Sequence, residues 1–223
     1  MRHLPSTSPD APKAVLIHGL GGSSLNWTDL MAAMQADVDG YAVDLGGRRQ
    51  SPTPRDGDMT PAGHARSIAE FIEAELGGEP VHLLGNSLGG AVALQLAGRR
   101  PELVRTLTMI APALPIQKIT RSNVHLPVIA IPGLGEKFVD KYQTLPAESR
   151  VKNTIEVCFG DPSRVPPQRL EEAIEEARGR ETHTYATDAF LRSLRGLFAS
   201  FLDVGSDRPW QLAKRVTCPT LAI

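Results

Sequence analysis

Residues 81–101, VHLLGNSLGGAVALQLAGRRP, pass from an apolar run to a small-residue helical pattern with only Gly85-Asn86-Ser87 at the join. The first part suits a strand and the second a helix that Pro101 stops. A strand that turns abruptly into a helix forces the joining residue into a strained backbone, and the flanking glycines remove the side chains that would clash there. Ser87 would then project its Oγ at the carboxyl end of a sheet, while Gly90 and Ala91 let the helix lie close on it. Few folds accommodate such a junction.

The flanking sequence repeats the alternation. AVLIHG (14–19) and GYAVDL (40–45) read as strands, the first a continuous apolar run suited to burial on both faces. SSLNWTDLMAAMQ (23–35) reads as a helix with a serine for its cap. TPAGHARSIAEFIEAELGG (60–78) opens with a threonine cap and a proline at the first helical position, and closes on Gly-Gly. VRTLTMIAPA (104–113) is a fourth strand, and a helix then a fifth strand return in PWQLAKRVTCPTLAI. Strands joined through helices imply right-handed crossovers and a parallel sheet. The expected spatial order of the five is 2-1-3-4-5. Thirteen residues before the first strand leave little room for an additional hairpin.

The rhythm breaks after Pro112. Proline-rich turns and two helical runs, PPQRLEEAIEEARGR (166–180) and DAFLRSLRGLFASFL (188–202), suit a helical insertion packing over the sheet. The expected division is core 1–112, helical cap insertion 113–206, and core helix and last strand 207–223. At 223 residues one domain with an insertion can bury a substantial core.

Charge narrows the choice of partner. With 24 basic and 25 acidic residues there is no basic stripe for nucleic acid and no acidic tail. No run is long enough to span a bilayer or serve as a signal peptide, so a soluble, cytoplasmic protein without stable membrane insertion is expected. Cys158 and Cys218 fit no metal or redox spacing and read as free thiols. Neither cofactor nor metal is called for, and oligomeric state is left open.

Chemistry concentrates at the elbow. Leu88 N–H, at the start of the following helix, faces the same space as Ser87 Oγ and suits an oxyanion donor. The loop HGLGGSSLNW (18–27) follows the first strand, where the Leu20 N–H would be the second donor. The glycines do not form a dinucleotide fingerprint, because GLGGSS lacks the third glycine at the required spacing and Asp44 fits the ribose role poorly.

Three motifs, HGLGGSSLNW, VDLGGRRQSP and GNSLGG, resemble the α/β-hydrolase superfamily, of the serine esterase or lipase-like kind. PELVRTLTMIAPA and VTCPTLAI are similar to its next two strands. The fold implied is an α/β-hydrolase core with a mainly parallel sheet and a helical cap insertion, truncated at both ends. In the second loop the family pattern D-L-P-G-x-G-x-S is altered: Gly46 stands for the proline and Arg49 for the second glycine. The resemblance implies acyl transfer on a small-molecule acyl ester, with Ser87 as catalytic nucleophile and Leu20 and Leu88 as the oxyanion hole. Serine, rather than aspartate, favours activated carbonyls over C–halogen bonds or epoxides.

In this family the acid follows the strand resembling PTLAI, and the histidine lies one strand further. Both are therefore expected beyond Ile223, and low activity is expected of the truncated chain. His18 belongs to the oxyanion loop, His64 to a helix and His82 to the start of a strand; His3 is near the terminus, and His125 and His183 are in the cap. Ala111, Pro112 and Ala113 offer no carboxylate. Alternatives are a C–C bond hydrolase of the same fold and a catalytically inactive binding module.

Overall fold

In a computed structural model of the chain, residues 1–49, 51–115, 123–181 and 186–223 are described. Among these residues six strands make one sheet: β1 (Arg2–Leu4), β2 (Lys13–Ile17), β3 (Asp39–Val43), β4 (Val81–Asn86), β5 (Val104–Ile110) and β6 (Thr220–Ala222). Their order is β1-β3-β2-β4-β5-β6, with β1 antiparallel to β3 and every other pairing parallel. The five parallel strands therefore follow the expected 2-1-3-4-5 order. The sixth is a single short strand ahead of AVLIHG, where little room for a hairpin was expected. Three residues suffice for β1, and the chain turning back from it is held by Ser6 Oγ and Thr7 N–H, both donating to Gln35 O.

Register brings the carboxyl ends of the central strands level. Ile17 stands beside both Val43 and Gly85, and Gly85 beside Met109. Successive strand side chains face opposite ways. Val15 and Ile17 thus enter the main core, and Ala14 and Leu16 a smaller one with Trp27 and Met31. Burial on both faces explains the unbroken apolar run in β2.

The 23–35 stretch is less uniform than expected. Ser23 caps a 3-10 turn over Ser24–Trp27, and α1 follows as Thr28–Ala33. α2 (Pro61–Leu76) has the anticipated ends: Thr60 Oγ1 accepts from Gly63 N–H, and Gly77 closes it in the left-handed region at φ 80°. α3 (Leu88–Arg99) is buried from Leu88 through Gly98, which accounts for its small residues. The later helices are α4 (Leu126–Ala130), α5 (Leu134–Gln143), α6 (Ala147–Cys158), α7 (Pro167–Glu181), α8 (Ala186–Leu202) and α9 (Pro209–Ala213).

Two compact units result: Met1–Pro115 with Arg192–Ile223, and Ile116–Leu191. The second is narrower than the 113–206 stretch read from the sequence. The physical reason lies in α8, where Leu197 joins the sheet unit's main core and Gly196 lies against the backbone of Met59 and Thr60. β6 is a sheet edge, and its three residues are exposed.

Candidate active site

Ser87 sits between β4 and α3 as the helix N-cap, with φ 52° and ψ −115°. Such a backbone is costly for a residue with a Cβ, on the order of 1–3 kcal/mol, and survives only where its surroundings hold it. Here they do. Ser87 N–H donates to Ile110 O at 3.0 Å, and Ser87 O accepts from Gly90, Ala91 and Ala113 N–H at 3.0, 3.2 and 2.9 Å. A Cβ on Gly85 would strike Gly89 O, one on Gly89 would strike Ile17 O, and one on Gly90 would come within 2.8 Å of Pro112 Cβ. The glycines are thus demanded by backbone packing, and they seat α3 against β2 and the end of β5.

The 18–22 loop reaches the same place. A Cβ on Gly19 would come within 3.2 Å of Ser87 Cβ and 3.0 Å of Asn86 Oδ1. The loop's shape is set by His18, which is 1% exposed. Leu45 N–H donates to its Nε2 at 3.1 Å, so the ring hydrogen is on Nδ1, which donates to Gly19 O at 2.8 Å. His18 therefore ties β2's end to the loop after β3. Leu20, next along, is half-buried against the main core, and Leu88 is buried at the first position of α3. Ser87, Leu88 and Gly19 are brought together.

Two positioning residues escaped the sequence reading. Asn86 Nδ2 donates to Ile110 O at 3.1 Å, the carbonyl that also accepts from Ser87 N–H. It occupies a variable position of G-x-S-x-G, so no motif singled it out. Asp44, which the dinucleotide comparison set aside, accepts from Ser24 N–H at 2.8 Å and Ser24 Oγ at 3.1 Å. It pins the 18–27 loop to the end of β3.

The loop after β3 departs from the pattern it resembles with structural consequences. Arg49 takes φ 49°, the left-handed backbone a glycine would adopt freely. A Cβ on Gly46 would come within 2.6 Å of Pro54 Cδ, so the altered position fits the prolines of this chain.

No described histidine bonds to Ser87. His3 Nε2 pairs with Asp39 at 2.8 Å and its ring stacks on Tyr41. His82 Nδ1 meets Thr106 Oγ1 at 2.8 Å; burial, then the Arg105 charge, lower its pKa. His64 is 1% exposed, with Nε2 3.3 Å from Ser193 Oγ. Burial and secondarily Arg48 push its pKa down to about 4, against a smaller opposing effect of Asp58, so it stays neutral. His125 is exposed in the helical unit, and His183 lies outside the described residues. Among the described residues Ser87 Oγ has no hydrogen-bond partner, and no three His, Cys, Asp or Glu groups are placed to hold a metal.

Residues 15–172 match the family described as alpha/beta hydrolase fold. The chain belongs to that family. Over 129 residues, 57% of this α/β-hydrolase chain, it is 40% identical to a pimeloyl-[acyl-carrier protein] methyl ester esterase of Neisseria meningitidis serogroup B, covering 46% of that protein. Over 170 residues, 75% of the chain, it is 31% identical to a dihydrolipoyllysine-residue acetyltransferase component of an acetoin cleaving system from Cupriavidus necator, covering 40% of it. The matches thus span less than half the length of these curated relatives. The crystal structure of Cfl2 from Burkholderia cenocepacia shares the fold at TM-score 0.75 and 17% identity, over 99% of this chain and 87% of that one. No helix among the described residues is long and apolar enough to cross a membrane.

Proposed function

We propose that this α/β-hydrolase chain carries the nucleophile and oxyanion hole of a serine carboxylesterase. The observation carrying the proposal is the strained Ser87 at the β4–α3 elbow, held by Ile110 O, Ala113 N–H and glycines that admit no Cβ. Ser87 Oγ attacks the ester carbonyl as its proton passes to a general base, which returns it to the leaving alcohol, and the carbonyl oxygen becomes an oxyanion stabilised by Leu20 and Leu88 N–H. Collapse expels the alcohol and leaves an acyl-serine, which water then cleaves. The methyl ester named for the Neisseria relative supports a carboxylic ester as substrate. Two free thiols, Cys158 and Cys218, support a reducing cytoplasm.

The base is what this chain does not bring to Ser87 among its described residues. Oxyanion stabilisation and binding alone sustain roughly a thousandfold acceleration over water in triad knockouts. The 223-residue chain is therefore expected to turn over p-nitrophenyl esters slowly, and a form extended by segments that supply an acid and a histidine much faster. Fast turnover by the chain alone, abolished by Ser87→Ala, would point to a base within it.

The unpartnered Ser87 Oγ also favours a second reading, an inactive binding module on the same core. Fluorophosphonate labelling followed by intact mass separates them. No adduct on Ser87 in either the chain or the extended form would sink the enzyme reading.

A further inference from the structure

A cavity of about 520 Å³ lies in the sheet unit, where β1, the 24–25 turn and the loop after β3 meet. Its size falls within the range of small-molecule sites, roughly 300–1,000 Å³, and is far larger than one ion needs. Arg2 of β1 and Arg49 of the loop bring two guanidinium-bearing residues to its wall, together with Ser51. One carboxylate, Asp44, is also present, but it is already answered. It accepts both donors of Ser24, pairs with the Met1 amino group at 3.2 Å, and its side chain is 5% exposed. Among the described residues, neither the Arg2 guanidinium nor the Ser51 hydroxyl has a partner. The lining thus carries an excess of positive charge and a spare hydroxyl donor.

Arg49 strengthens the case because its backbone is strained. At φ 49° glycine would cost nothing, yet the chain holds a long cationic side chain there, at the edge of the cavity. Strained residues of this kind cluster at ligand clamps and active sites.

We propose that the cavity recognises a small organic anion, with the oxyanion of a phosphomonoester or carboxylate held by Arg2 and Arg49 and receiving a hydrogen bond from Ser51. A guanidinium presents paired N–H groups at the spacing of two such oxygens. Ser87, Leu20 and Leu88 do not line the cavity, so the proposal stands or falls separately from that for Ser87.

The test titrates the untagged, ¹⁵N-labelled chain with glycerol 3-phosphate, succinate and uncharged glycerol, at about 20 mM ionic strength to limit screening. Amides of residues 24, 25 and 49 and arginine Nε–H signals report binding. Saturable shifts are expected with at least one anion and not with glycerol; the tighter anion identifies the group. Arg2→Gln and Arg49→Gly should each weaken binding about tenfold, as loss of a charge-assisted pair does. Arg49→Gly suits the existing backbone and Arg2 is exposed on an edge strand, so both variants keep the fold, verified by their amide spectra. No saturation with either anion, an equal response to glycerol, or unchanged affinity in both variants would overturn the proposal. Fluorophosphonate labelling of Ser87 is a separate readout, so either idea can fail alone.

Discussion

The elbow and the loop after β3 each hold a residue other than glycine in left-handed backbone, Ser87 at φ 52° and Arg49 at φ 49°, yet they are built differently. Around Ser87, glycines make room for neighbouring main chain, and four backbone hydrogen bonds fix the turn. Around Arg49 the loop is closed by its own short-range bonds, Gly47 N–H to Ser51 O and Ser51 N–H to Arg48 O, and Gly46 makes room for the Pro54 ring and the Pro52 carbonyl of that same loop. Equal φ therefore hides unequal rigidity. One strained residue is locked into the core, the other carried on a local turn.

Substitutions that add one methyl group test that contrast most severely. Gly85→Ala and Gly89→Ala drive a Cβ into backbone oxygens and should each cost about 3 kcal/mol or more in urea unfolding. Gly46→Ala meets the Pro54 ring and Pro52 O in a locally closed loop whose backbone can give, and should cost less, about 1 kcal/mol. Similar losses at all three sites would break the comparison.

The next effect is acid lability where the loop meets α2. His64 is neutral in the fold with its pKa lowered to about 4, mainly by burial and then by Arg48, while the unfolded chain protonates near pH 6.5. The unfolded state thus binds the extra proton first. Stability from this group is intact above pH 6.5 and lost as pH falls toward 4, by a few kcal/mol in all. Urea midpoints of wild type and His64→Gln should converge over that window; parallel curves would remove the effect.

Smaller gains should follow from relieving strain. Ser87→Gly is expected to stabilise by about 1 kcal/mol over Ser87→Ala, because glycine accepts the elbow backbone freely. Arg49→Gly should change stability by less than about 1 kcal/mol, since release of strain is offset by the greater freedom of unfolded glycine. A larger loss at Arg49 would mean that its loop is as tightly built as the elbow.

The parts legible in the sequence are those governed by periodicity and backbone chemistry. Thr60-Pro61 and Gly77 marked both ends of α2, and G-N-S-L-G marked the strand-to-helix turn, because each depends on a local steric rule. β1 was missed because three residues carry no period, and its place is fixed by pairing with β3. Asn86, Asp44 and the locked tautomer of His18 were hidden for a related reason. Their partners, Ile110 O, Ser24 and Leu45 N–H, are distant in sequence and adjacent only after folding. The limits of the helical stretch are not marked in the sequence, because one amphipathic helix, α8, continues across the division between units, and periodicity does not mark where a helix changes neighbours.

The most direct test of the central claim is exhaustive fluorophosphonate labelling with peptide mapping of the 223-residue chain and of its extended form. A single adduct on Ser87 is predicted in both, slow in the first and fast in the second, and absent from Ser87→Ala. An unmodified Ser87 in both forms would contradict its assignment as the nucleophile.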